Sequence, residues 1–327
     1  MESQQGLITS RQLAARGVTH KDVRRLLQAE VLVRVRHGVY ADAEVWHALD
    51  PYRQQPVLRV RAAALTLRAT AYVFSHDSAA IMLGMGAPRP EASLVHVTRP
   101  KVHGDAVRAG VKHHLAPYSE DDVVEIDGLR LLGPARTALD MAREHGRVAG
   151  LAACDAALRE GTSRRELEEV LARMRCWPRS RTMRWCAAMA DGGAETYLES
   201  QGRDLVLELG IGRPETQFGL TDGHRSVYCD FRVGRHIFEV DGELKYDDDN
   251  PSGEAPKVVV LKEKQRQDFV TGFKLGASRI TAYDCGHGRG DALRRLNREF
   301  SDTCDRFGTS IDDLAPYIIQ RPRHRAG

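Results

Sequence analysis

No apolar run in these 327 residues approaches the ~20 that a bilayer span needs. The first ten residues, MESQQGLITS, lack the basic-then-apolar pattern of a secretory signal. The six cysteines (154, 176, 186, 229, 285 and 304) include no C-x-x-C pair, which points to reduced thiols in a cytoplasmic chain rather than to disulfides or a zinc ribbon. A calcium loop is also missing, because the acidic run DDDN at 247–250 has no Gly and no closing Glu at the required spacing. A large net charge is absent as well: the balance is +3, with 42% hydrophobic and 28% charged residues, as in ordinary globular proteins. The length suggests two or three domains.

That small charge is localised. Residues 1–42 hold seven Lys/Arg against four Asp/Glu, an excess equal to that of the whole chain, so the remainder is balanced. In LITSRQLAARGVTHKDVRRLLQAEVLVRVRHGVY, Thr9 or Ser10 can cap a first helix and Gly17 can end it. Thr19 then caps a second helix from His20. Val23, Leu26 and Leu27 share one face of it, and Lys21, Arg24, Arg25 and Gln28 share the other. VLVRV and VYA read as a hairpin with Gly38 in the turn. A helix pair followed by a β-wing is a winged helix-turn-helix, whose second helix enters the major groove of duplex DNA. Arg34, Arg36 and His37 on the wing would then approach phosphates. The competing reading is a solvated amphipathic helix beside a hairpin.

Residues 51–190 read as a separate α/β region. YVFSHDSAAIMLGM is expected to be a helical run capped near Ser75. ASLVHVTRP, VKHHLAP and DVVEIDGLRLLG are expected strands, the last with a turn at Asp127-Gly128, and PARTALDMAREHG a helix from Pro134 to Gly146. Ser75, His76, Asp77 and Ser78 resemble triad members but have no strained nucleophile turn, so a helix N-cap cluster is the preferred reading. His103, His113 and His114 are read as exposed strand histidines rather than metal ligands.

The most telling stretch is CDFRVGRHIFEVDGELKYDD, 229–248. A two-residue turn at Gly234-Arg235 pairs Val233 with His236, Phe231 with Phe238 and Asp230 with Glu239. Alternation then puts Cys229, Phe231, Phe238 and Val240 on a core face, with Asp230, Glu239 and Asp241 opposite. Carboxylates so close repel unless a cation gathers them, and all-oxygen ligands suit Mg²⁺ or Mn²⁺. Such an ion would polarise a scissile phosphate, with Lys245 assisting. The alternative is an acidic outer face in solvent.

Two resemblances add to this. GLITSRQLAARGVTHKDVRRLLQAEVLVRVRHGVY resembles the N-terminal domain of AbiEi-like antitoxins of type IV toxin–antitoxin systems, and SHDSAA and GPARTALDMA resemble the region that follows it. This implies a winged module that represses its own operon. Residues 191–290 resemble the nuclease-like domains related to very-short-patch-repair endonucleases, of PD-(D/E)XK fold. The matching pieces are TYLES, PETQ, EVDGELKY, EKQRQD and GASRIT. That likeness implies Asp230 and Glu239 as metal ligands, Asp241 in the usual lysine position, Glu199 as an acid from the first helix and Lys245 as the displaced lysine. Strict nucleases of this fold read E-x-K, whereas this chain reads Glu239-Val240-Asp241.

The expected architecture is therefore an α/β multi-domain chain with three parts. Residues 1–50 form a winged helix-turn-helix, 51–190 an AbiEi-like α/β connecting domain, and 191–327 a restriction-endonuclease-like α/β domain. The expected function is a cytoplasmic DNA-binding protein, with duplex DNA as partner and metal-dependent phosphodiester hydrolysis in its last domain. The alternative is a non-catalytic repressor or antitoxin that binds its own promoter and a cognate toxin.

Overall fold

The structure is a computed structural model that describes residues 6–67, 72–92, 94–100, 106–241 and 256–319. The chain divides into two compact units, residues 1–157 with 165–188 and residues 158–164 with 189–327.

The first unit opens with β1 (Leu7–Thr9), α1 (Ser10–Ala15), α2 (His20–Gln28), β2 (Leu32–Arg36) and β3 (Val39–Asp42), followed by α3 (Ala43–Ala48) and α4 (Gln54–Ala64). Thr9 and Thr19 each close a capping box, with Gln12 and Asp22 respectively, so both helices start where side-chain oxygens take up orphan amides. The three strands form an antiparallel sheet in the order β1-β3-β2. Its central strand is covered on both sides. Tyr40 packs with Ile8, Leu13 and Val23 under the helix pair, while Val39 and Ala41 pack with Leu7, Trp46, Leu58 and Ala62 from α3 and α4. A bulge between Arg34 and Arg36 twists the wing.

The same unit continues through β4 (Val73–Phe74), α5 (His76–Met82), β5 (Val95–Arg99), β6 (Ala106–Arg108), β7 (Val111–Leu115), β8 (Val123–Ile126) and β9 (Leu129–Leu132). Then come α6 (Pro134–His145), α7 (Arg147–Arg159), α8 (Arg164–Arg173) and α9 (Ser180–Met189). The six strands run in the order β6-β7-β5-β4-β9-β8, with the β5–β7 and β4–β9 pairs parallel. The Asp127-Gly128 turn has positive φ at both residues, as a tight hairpin requires. The helix begins at His76 with Ser75 at its N-cap position, as expected, whereas Val73–Phe74, read as part of the same run, is a strand. Ser75 makes no side-chain cap bond, because its Oγ is engaged by Thr98 Oγ1 at 2.8 Å. Val95, Val97 and Val111 pack with Val60 and Ala63 of α4, so α4 lies between the winged sheet and one face of the larger sheet.

The second unit runs α10 (Tyr197–Glu208), β10 (Glu215–Thr221), β11 (Ser226–Val233), β12 (His236–Asp241), α11 (Pro256–Gly272), β13 (Gly276–Thr281), α12 (Ala282–Cys285) and α13 (Arg289–Phe307). The sheet order is β10-β11-β12-β13, antiparallel except for the last pair, which is parallel. One face packs Phe231, Phe238 and Ile280 against Leu205 and Leu296 of α10 and α13. The other packs Phe218, Cys229 and Ile237 against Val270 and Leu275. Burying each phenylalanine contributes about 2 kcal/mol. Gly202 lets α10 lie against the sheet, since a Cβ there would sit 2.7 Å from Val240 Cγ2.

The Val233–His236 and Phe231–Phe238 pairs form as expected, and Gly234 has φ +56. The assignment of faces needs correction for Cys229. It packs with Ile237, opposite Phe231, although regular alternation would put 229 and 231 together. The β10–β11 ladder omits the Gln217–Asp230 position, where Gln217 adopts φ +54, and the strand switches faces at Asp230.

Candidate nucleic-acid interface

Helix α2 buries little of itself. Val23 is 6% exposed and Leu27 packs beside it, while His20, Lys21, Arg24, Arg25 and Gln28 face solvent. Asp22 is held at the cap by Thr19, whose hydroxyl and amide both donate to its carboxylate and draw its pKa down. Arg25 Nη1 lies 3.8 Å from Asp22 Oδ1, an exposed contact that leaves most of its field directed outward. On the wing, Arg34 and His37 are exposed. Arg36 differs from the other five expected DNA-binding residues. It is half-buried and donates from Nη2 to the Ala109 carbonyl at 3.2 Å, and its Nε is buried without an acceptor.

In the second unit each expected acid already has a partner. Glu199 caps its own helix: Oε2 accepts from the Glu195 amide at 2.8 Å and Oε1 from Thr196 Oγ1 at 3.0 Å. Asp230 Oδ2 accepts from the Val240 amide at 2.7 Å. Both Glu239 oxygens accept from Arg266 Nη2 at 3.0 Å, and Asp241 accepts from Arg279 Nη1 at 3.0 Å. Lys245 lies outside the described residues. Burial pushes the Glu239 carboxyl up to about 7, with Arg266 pulling it down and Asp230 pushing it further up. Burial also raises Glu199, with Asp230 adding to the rise. Asp230, Glu239 and Asp241 do not gather as a three-acid cage. Among the described residues, the group of three or more His, Cys, Asp or Glu with mutually close ligand atoms lies elsewhere. In this arrangement the guanidinium of Arg266 lies where a cation would sit against Glu239.

That other group is His76, His96 and His114, all buried, with ligand atoms within 4.8 Å of one another. The expectation that His114 is an exposed strand residue is corrected: it is 1% exposed. Strand alternation sends Val95 and Val97 to the α4 side and turns His96, Thr98 and His114 toward His76. His114 Nε2 lies 3.1 Å from His96 Nδ1. His76 Nε2 accepts from Arg143 Nη2 at 2.9 Å, so its proton sits on Nδ1, 3.0 Å from Ser75 Oγ. Asp140 is bracketed by Arg136 Nε at 3.0 Å and Arg143 Nε at 3.5 Å, and Asp77 faces His96 and His145. Burial holds His76 well below its ordinary pKa and lowers His96, so both imidazoles are neutral. The His76 and His114 rings stack 3.7 Å apart at 13°, which aims their lone pairs side by side rather than at one point. This geometry, with Arg143 on His76, makes a charge-balanced polar core, not a metal centre. The alternation in VHVTR beside SHDS was the signal available in the sequence.

Comparison with known proteins bears on the first unit. Residues 2–41 match the family model described as transcriptional regulator, AbiEi antitoxin. Residues 69–184 match the AbiEi antitoxin C-terminal domain. Both segments are thus similar to AbiEi antitoxin domains. Two uncharacterised proteins of Mycobacterium tuberculosis, from strains CDC 1551 / Oshkosh and ATCC 25618 / H37Rv, are each 31% identical over 199 residues. The alignment covers 59% of this chain and 66% of each relative's length. The AbiEi-type matches end at residue 184, ahead of α10 and the acid hairpin.

Proposed function

We propose that this chain is a DNA-binding transcriptional regulator of the antitoxin type, which represses its own promoter and meets a cognate toxin protein. Its winged domain engages duplex DNA with Lys21, Arg24 and Arg25 of α2 in the major groove and Arg34 and His37 at flanking phosphates. The observation that carries this reading is α2 itself: a capped helix anchored by one thin apolar face, with its cations left facing solvent in a segment that matches an AbiEi regulator model. No helix among the described residues is long and apolar enough to cross a membrane, and the reading places the chain in the cytoplasm.

The order α10, β10–β12, α11, β13, with its closing parallel pair, supports a PD-(D/E)XK-type fold for the second unit. The Arg266 and Arg279 contacts support a non-catalytic role there. A second reading, Mg²⁺- or Mn²⁺-dependent DNA hydrolysis, draws on the crowding of Asp230 with Glu199 and Glu239, which a cation would relieve.

One set of assays separates these readings. The full chain is expected to retard duplex DNA taken from upstream of its own reading frame. Replacing both Arg24 and Arg25 with Gln should weaken that binding by about tenfold or more and flatten its salt dependence. Retardation unchanged by that pair of substitutions defeats the regulator reading. Nicking of supercoiled plasmid with Mn²⁺, abolished by Asp230→Ala, would establish the nuclease instead.

A further inference from the structure

The polar core of the first unit is built to hold a histidine without its second proton. His76 stands where β4 hands over to α5, with a left-handed backbone at φ +49, a conformation uncommon outside glycine that the surroundings must impose. Two contacts fix the ring. Arg143 Nη2 of α6 donates to His76 Nε2 at 2.9 Å, and the His114 ring of β7 stacks on the imidazole at 3.7 Å. Nδ1 is turned to Ser75 Oγ, itself tied to Thr98 of β5. The residue is 0% exposed.

The charged groups around this ring are already committed. From α6 come the guanidiniums of Arg136 and Arg143, and Asp140, whose Oδ1 lies 3.8 Å from His76 Nε2, is shared between those two cations. From β5 and β7 come the imidazoles of His96, 5.7 Å away between ring centres, and His114. Further out, Asp77 pairs with His145 and lies 3.7 Å from His96, while Glu144 pairs with Lys112. Three carboxylates thus face three permanent cations, with the buried imidazoles neutral. A proton on His76 Nε2 would find no carboxylate to itself among the described residues. It would also remove the lone pair that Arg143 bonds and set an imidazolium against a guanidinium at hydrogen-bond distance.

We infer that His76 is a proton-operated latch: its neutral imidazole holds α5 and α6 on the six-stranded sheet, and proton uptake in mild acid releases them and loosens the first unit. Burial, with His114 and Arg143 adding to it, holds His76 well below 6.5 in the folded chain, so the unfolded chain takes up its proton first. The latch therefore stabilises fully above pH 6.5 and is lost as pH falls below that value. The opposite face of β5 and β7 carries Val95, Val97 and Val111 against α4, which also covers the winged sheet, so release at His76 reaches the support of the winged domain. The inference does not depend on what the unit binds.

Trp46, Trp177 and Trp185 all lie in the first unit, so fluorescence during urea unfolding of the full chain reads that unit alone. Between pH 7 and pH 5 the wild-type midpoint should fall by about 1 M. His76→Asn keeps a carbonyl acceptor for Arg143 and tolerates the left-handed backbone, but it takes no proton. Its midpoint, lower at pH 7 for want of the stacked ring, should fall about half as far or less over the same range. A parallel fall in the two proteins overturns the latch. Carbon-13 NMR of the wild type with labelled histidine gives a second reading that needs no variant. The His76 ring should keep its neutral signal until the fluorescence collapses and titrate in that same step. A ring that titrates near pH 6.5 while the fluorescence keeps its folded value overturns the inference as well.

Discussion

Helix α2 and the acid hairpin were the two charged regions that stood out in the sequence, and they treat charge in opposite ways. On α2, Lys21 and Arg24 face water with no carboxylate in pairing range among the described residues, and Arg25 has one at 3.8 Å. In the hairpin, Glu239 and Asp241 are each closed by a guanidinium at 3.0 Å from a neighbouring element. The cations keep their field for an outside anion, whereas the acids spend theirs internally. Charge density does not locate a site. What locates it is charge that the fold leaves uncompensated.

The polar core of the first unit gives the most severe test of that contrast. Asp140 is 0% exposed and serves two guanidiniums at once. Asp140→Asn removes the shared counter-charge of Arg136 and Arg143 and should cost about 3–5 kcal/mol of stability, as breaking a buried ion pair does. Both guanidiniums lie over the Trp177 ring, at 4.7 and 5.3 Å, so Trp fluorescence during urea unfolding reports the loss directly. A cost under about 1 kcal/mol would mean that internal compensation is not what holds this core together.

A smaller effect is expected at Arg266, whose side chain is 30% exposed against 19% for Glu239. Arg266→Ala leaves a desolvated carboxylate with a lone Cys229 thiol beside it and should cost about 2 kcal/mol after allowance for solvent screening. Replacing the exposed Arg24 should change stability by less than about 0.5 kcal/mol. Circular dichroism through a urea titration measures both, since the second unit has no tryptophan. Equal effects at the two positions would erase the distinction between the regions.

Much of this fold is local and could be read from the sequence. Thr9 and Thr19 cap their helices because hydroxyls one residue ahead of an amphipathic run take up its free amides. The Gly234 turn fixes the β11–β12 register through a two-residue hairpin. What stayed hidden depends on elements distant in the chain. Arg266 reaches Glu239 from α11, 27 residues further on, and nothing in EVDGELKY announces it. The switch of faces at Asp230 follows a backbone kink at Gln217 on the neighbouring strand, a residue with no turn preference of its own. His76, His96, His114 and Arg143 come from four separate elements, so the polar core exists only once the sheet has assembled.

The pH dependence of the hairpin is the most specific expectation, because its sign is fixed by linkage. Glu239 has a folded-state pKa of about 7 against an ordinary 4.5, so between those values the folded chain keeps a proton that the unfolded chain has lost. Its contribution therefore favours folding below pH 4.5, declines as pH rises toward 7, and stays at its least favourable above that. His236, lowered to about 4 by burial, works the other way: its contribution is lost as pH falls from 6.5 toward 4. The two slopes oppose each other in the wild type, which hides both. Glu239→Gln removes one and leaves the other, so the variant's stability relative to the wild type should rise by about 3 kcal/mol between pH 4.5 and 7. A difference that is flat across that window would mean Glu239 is ionised throughout and Arg266 fully matches it. The hairpin would then be an ordinary ion pair rather than a desolvated acid held closed by a cation.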